Sequence, residues 1–135
     1  MIKLKPLMMK SLFQYKYIVN VTSVEGIFNH FKRTTHVHTN MEKATLNMFT
    51  RTVGKYLKNI NIYMPCVDTR WVSQMNKMNS LLDEDKKGLY ESGFVNITLD
   101  ELDGAMRVLH PIFEKVKNKN YIYGILLKDY IKAEW

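Results

Sequence analysis

The chain has 135 residues, 46% of them apolar, with 20 Lys and Arg against 13 Asp and Glu and a single cysteine, Cys66. That length supports one hydrophobic core in one domain over 1–135. The composition excludes a disulfide framework, a cysteine-built zinc cage and a CxxC redox pair, and every apolar run is broken by Lys or Asp well short of the ~20 residues a membrane span needs.

The opening stretch MIKLKPLMMKSLFQYKYIV has no acid, but it lacks the continuous apolar region and small-residue cleavage site of a signal peptide. It reads as the lead-in to a strand over 15–21, aromatic and β-branched with partial alternation. A short helix through Val24, Ile27, Phe28 and Phe31 follows. RTTHVHT at 33–39 reads as a second extended segment.

Three Thr-x-x-Glu boxes, Thr22 with Glu25, Thr39 with Glu42 and Thr98 with Glu101, have the spacing by which a Thr hydroxyl and a Glu carboxylate close a helix start reciprocally. The second box opens the clearest helix, over 40–58, with Met41, Met48, Phe49, Val53, Tyr56 and Leu57 at three- and four-residue spacing. A strand fits 61–66 and places Cys66 as a small buried hydrophobe at its end. Trp71, Val72, Met75, Met78 and Leu82 give a further helical stripe that stops at the DEDKKG turn, and residues 94–97 read as a short strand.

Leu102, Ala105, Met106, Leu109 and Phe113 continue as a helix that Pro111 is expected to end or kink, because its nitrogen cannot donate to the carbonyl four residues back. Residues 121–127 read as a closing strand. Strands alternate with helices, yet no Gly-rich strand-to-helix turn is present. The fold class is therefore α+β, a small mixed sheet covered by three or four helices; a winged-helix-like fold with a small hairpin is the alternative.

Charge is uneven. Residues 1–60 carry ten Lys and Arg against two acids, Glu25 and Glu42, whereas the remainder is nearly balanced. Such a bias favours an anionic partner, and nucleic acid over membrane because no basic amphipathic helix accompanies it. Lys43, Asn47, Arg51 and Lys55 recur every four residues, with Lys58 beyond, and form a polar stripe that Lys32 and Arg33 extend. Tyr15 with Tyr17, and Tyr121 with Tyr123, would share sheet faces, either for packing or for stacking unpaired bases. Scarce Ala and abundant Lys, Asn and Met match the AT-rich coding of phage, viral and low-GC bacterial genes.

Chemistry has one candidate locus. On a strand His36 and His38 would project from one face, and a metal would need a third ligand from His30, Asp68 or His110. Arg33 and His38 resemble the Arg-x4-His of HEPN-type ribonucleases, a motif that belongs to a helix of an all-α fold. The two-histidine phosphoesterase pattern needs paired His-x-Thr/Ser motifs, which the chain lacks. The acids at 83–85 sit in a turn, and Asp100, Glu101 and Asp103 suit the first turn of a helix, where they complement the positive end of its dipole.

These features support a cytoplasmic, cofactor-free, non-enzymatic protein that binds nucleic acid, or serves a nucleic-acid machine, through Lys32, Arg33, Lys43, Arg51, Lys55 and Lys58. Two alternatives remain: a viral-type assembly or host-takeover protein seated on a larger complex, for which nine methionines suit a partner surface, and a phosphodiesterase or nuclease using Arg33, His36 and His38.

Overall fold

The computed structural model describes residues 3–29, 31–32, 34–70, 72 and 99–135. Helix α1 spans Leu4–Lys10, α2 spans Val37–Lys58 and α3 spans Glu101–Asn118. The strands are β1 Lys16–Tyr17, β2 Asn20–Thr22, β3 Ile62–Tyr63, β4 Cys66–Asp68, β5 Leu126–Lys128 and β6 Ile131–Ala133. The result is the α+β class, with a sheet ordered β2-β4-β5-β6 and a separate β1-β3 pair. The sheet is parallel except at β6, so the winged-helix alternative does not hold. The helix at 71–82, the turn at 83–88, the strand at 94–97, and His30, Arg33 and Thr98 lie outside the described residues, Val72 excepted.

The two sheets are one ladder with a gap. Lys16 opposes Ile62 and Asn20 opposes Cys66 at the same offset, and the amides of Lys16, Ile18 and Asn20 donate to the carbonyls of Asn61, Tyr63 and Pro65, each at 3.0 Å. The alternation of a parallel ladder would next require an N–H at position 65. Pro65 has none, and the strand divides there.

Helix α2 lies on this sheet through a polar seam. Its buried residues are Asn47, Thr50, Gly54 and Leu57, while Met41, Met48 and Tyr56, expected on its inner face, are exposed. Asn20 donates from Nδ2 to Thr50 Oγ1 at 2.8 Å, Thr22 donates from Oγ1 to Asn47 Oδ1 at 2.7 Å, and Asn47 Nδ2 reaches the Gly26 carbonyl at 3.0 Å. The Thr50 hydroxyl also meets Cys66 Sγ at 3.1 Å. Small residues allow the close approach: a Cβ on Gly54 would stand 2.7 Å from Gly124 Cα. Ile27, Cys66 and Leu126 form one core cluster, Leu57, Ile62 and Met64 a second, and Val67, Ile122 and Leu127 a third, the last set by strand alternation on the opposite sheet face.

Several local expectations change. Residues 34–39 of RTTHVHT form no strand: Thr34–His36 makes a 3-10 turn that runs directly into α2 at Val37. Thr39 therefore lies inside the helix rather than capping it. Thr22 spends its hydroxyl on Asn47 instead of capping a helix, and the expected helix after it is a single 3-10 turn, Val24–Gly26, with Phe28 and Phe31 exposed. The cap of α3 is Asp100, whose carboxylate accepts from the Asp103 amide at 2.8 Å. Pro111 neither ends nor breaks that helix; its ring is fully buried, and packing offsets the missing hydrogen bond. Its seam of Leu102, Met106, Leu109 and Phe113 faces solvent.

Strand β6 has no counterpart in the sequence pattern, because its two-residue turn, Asp129 and Tyr130, has positive φ at both positions (51° and 69°) without a glycine. The turn is clamped from outside. Arg70 and Arg107 both pair with the Asp129 carboxylate, and the Arg107 guanidinium lies 5.2 Å from the Tyr130 ring centre.

Candidate functional site

The six basic residues singled out by the charge pattern divide into three groups. Lys32 is committed internally, donating to the carbonyls of Val24 at 3.0 Å and Glu25 at 2.7 Å, and half-buried Lys43 reaches the Val21 carbonyl at 3.4 Å. Arg33 lies outside the described residues. Arg51, Lys55 and Lys58 are exposed on the C-terminal half of α2. The stripe is thus interrupted at Asn47, which points into the seam, and its solvent-facing remnant is the second half of the helix.

That remnant borders an aromatic groove. A cavity of about 570 Å³ is lined by Lys55, His110, Glu114, residues 120–125, Leu127, Tyr130 and Lys132. Two of the lining residues, Tyr121 and Tyr123, belong to a five-tyrosine cluster: Tyr63 stacks on Tyr121 with ring centres 4.9 Å apart, and Tyr15, Tyr17 and Tyr123 surround the pair at 5.3–6.2 Å. Two ammonium groups lie over ring faces, Lys58 4.9 Å from the Tyr123 centre and Lys115 4.0 Å from that of Tyr15, the geometry in which a ring quadrupole attracts a cation. The tyrosines do pack with one another, and Tyr121 and Tyr123 also face the groove.

The phenols are poor nucleophiles. Burial, then the neighbouring Tyr63 and Tyr15, push Tyr17 up to about 12, and a hydrogen bond to Tyr15 raises Tyr121 to about 12 as well. Burial raises Tyr63 in the same direction. At working pH the cluster offers neutral rings and hydroxyls, suited to stacking and hydrogen bonding rather than to attack on phosphorus.

A second locus, of which the sequence pattern named only Asp68, lies at the carboxyl ends of the parallel strands, where open α/β sheets place their sites. Asp68 ends β4 beside Thr22 and Lys128 in register and is 2% exposed. Its Oδ1 accepts the Arg70 amide at 2.7 Å, stabilising the left-handed turn at Arg70 (φ 59°), while Oδ2 is buried with no hydrogen-bond partner among the described residues. Burial pushes its carboxyl above the usual range, only partly offset by the Arg70 amide. Close by, Asp129 receives Arg70 Nε at 2.8 Å and Arg107 at 2.6 Å. The Arg70 hydrogen bond, despite some desolvation, holds its carboxyl down to about 2. One acid is thus biased toward its neutral form and the other fixed as an anion, an arrangement whose visible work is to clamp the β5-β6 turn.

The histidines are not brought together. His36 occupies the N-cap position of α2 without capping through its side chain, His38 lies in the first turn, and both are exposed. Two residues apart on a helix, they point about 200° apart. His110 lies elsewhere, against the Tyr130 ring at 5.1 Å. Among the described residues no group of three His, Cys, Asp or Glu is placed to hold a metal ion. Cys66 is buried, and desolvation pushes its thiol up to about 11 despite the Thr50 contact.

No protein-family model matches the chain. It is similar to an uncharacterized protein of Acanthamoeba polyphaga mimivirus, 32% identical over 109 residues that cover 76% of this chain and 22% of that protein. The chain therefore spans about a fifth of the length of the relative it matches, and the likeness is to a viral protein. No helix among the described residues is long and apolar enough to cross a membrane.

Proposed function

We propose that the chain binds nucleic acid, in single-stranded form, along the groove between the C-terminal half of α2 and the 120–125 segment. The observation that carries this reading is the coincidence, in one cavity, of the Tyr121, Tyr123 and Tyr130 rings with Lys55 and Lys132, with Lys58 over Tyr123 at its edge. Unpaired bases present faces to such rings while cations track the phosphates, a combination that is tolerant of sequence. The cavity is of the size that accommodates a nucleotide-sized ligand. Arg51, Lys55 and Lys58 would carry the strand onward along α2. The viral relative and the basic first half of the chain are compatible with a role in a viral nucleic-acid machine.

Fluorescence anisotropy with labelled single-stranded and duplex oligonucleotides tests the reading. Tyr123→Ala is expected to weaken single-strand binding by roughly 5- to 150-fold, equivalent to ~1–3 kcal/mol per stacked base, while Tyr123→Phe retains it. Equal binding of Tyr123→Ala and wild type would remove the groove from the account.

A second reading rests on a different surface. Phe28 is 88% exposed, and with Met48, Phe49 and Val53 it lines an apolar cavity of about 500 Å³ along α2. A contiguous apolar surface of this kind suits a protein partner. Retention of a stoichiometric protein partner after nuclease treatment, lost in Phe28→Ser with Met48→Ser, supports this reading; loss of all partners with the nucleic acid contradicts it.

A further inference from the structure

Helix α3 turns an apolar seam toward solvent. Leu102, Met106, Leu109, Phe113 and Val116 recur at spacings of four, three, four and three residues, the 3.5-residue period by which one helix packs along another. All five are exposed, Leu102 by 68% and Val116 by 71%, and none joins a core cluster of the described residues. The opposite side of the helix already faces the interior through Gly104 and Pro111.

The charges beside the seam select its occupant. At 100° per residue, Asp103 and Lys117 fall on one flank, and Glu101 and the C-cap residue Lys119 on the other. Each flank opens with an acid in the first turn and carries a lysine at its end, with Glu114 between the two on the Asp103 side. A twofold axis perpendicular to two antiparallel helices keeps each flank on its own side and exchanges its ends. Asp103 of one copy then faces Lys117 of the other, and Glu101 faces Lys119. The charge pairs centre on His110 and the apolar pairs within one residue of it: Leu102 opposite Val116 centres on Leu109, and Met106 opposite Phe113 midway between Leu109 and His110. A parallel pair would oppose acid to acid and lysine to lysine. We propose that this chain forms a twofold dimer through antiparallel pairing of α3.

Sedimentation velocity of the full chain over a concentration series at low salt is expected to show a monomer–dimer equilibrium that shifts toward monomer as salt rises. It should be weak, because one helix pair buries less than the ~1,200–2,000 Å² of a standard interface. Glu101→Lys with Asp103→Lys, and separately Lys117→Glu with Lys119→Glu, should each lower the association constant by at least about tenfold, the effect of opposing like charges. Mixing the two variants should restore the dimer. If either charge variant loses helix by circular dichroism, the exposed-site variant Phe113→Glu serves instead and should be monomeric. A wild-type chain that stays monomeric throughout, variants that dimerise as wild type does, or a dimer that tightens with salt each overturns the proposal.

Discussion

Asn47 joins three pieces of chain in the interior: it accepts the Thr22 hydroxyl, donates to the Gly26 carbonyl and sits on α2 one turn before Thr50. Truncating it strands two buried polar groups, so Asn47→Ala is expected to lower the unfolding free energy by about 2–4 kcal/mol, measured by urea denaturation. Thr22→Val with Asn47→Leu, which removes donor and acceptor together, should cost less than the sum of the single changes. The buried thiol of Cys66, pushed up to about 11 by desolvation, should resist alkylation at pH 8 in the folded protein and react on denaturation. Fast labelling of native protein would contradict the seam.

The two neighbouring acids act oppositely with pH. Asp129 has a depressed folded pKa of about 2 against an ordinary 3.8, so its contribution is present above pH ~4 and is lost as pH falls toward 2. Asp68 is raised, so its ionisation destabilises the fold: its contribution is fully present below its unfolded pKa and is lost as pH rises through the folded one. Denaturation across pH 2–7 should therefore show Asp129→Asn losing stability at pH 7 but not near pH 2, and Asp68→Asn gaining it at pH 7 relative to acid. Asp129 is part-exposed, so solvent screening keeps its effect small.

At the scale of elements, the α2 crossing depends on absent side chains. Alanine at Gly54 raises intrinsic helix propensity by ~1 kcal/mol, yet its Cβ would meet Gly124 backbone at 2.7 Å. The expected outcome is net destabilisation by about 1–3 kcal/mol, seen as a lower midpoint in thermal or urea unfolding; a stabilised Gly54→Ala would refute the close approach. Helix α2 and the 15–21 and 61–66 strands were legible because their apolar periods run long enough to be distinctive. The inward face of α2 was not, since a seam of Asn, Thr and Gly carries no hydrophobic period, and the Met-rich stripe beside it does. Hairpin β5-β6 was hidden for a related reason: Asp129 and Tyr130 adopt positive φ under tertiary restraint from Arg70 and Arg107, contacts with partners 59 and 22 residues away. Of the candidate site, Lys55, Lys58, Tyr121 and Tyr123 were legible as residue types, but their convergence follows from the Gly54–Gly124 contact and from the turn of chain before β5.

For the whole molecule, the sequence-level surplus of positive charge in residues 1–60 overstates the surface available to an anion. Lys32 and Lys43 spend their ammonium groups on backbone carbonyls, whereas Lys58, Lys115 and Lys132, drawn from three different elements, lie beside the tyrosine cluster or its groove. Nucleic-acid affinity is therefore expected to depend on a local groove rather than on net charge. The most direct measurement is the slope of log affinity against log salt concentration for a single-stranded oligonucleotide, compared between wild type, Lys55→Ala with Lys58→Ala, and the remote control Lys10→Ala. Each lost phosphate contact on a single strand should reduce the slope by ~0.7, so the double variant is expected to fall by roughly 1.4 and the control to match wild type. An unchanged slope in the double variant, or no binding by wild type at low salt, would contradict the account.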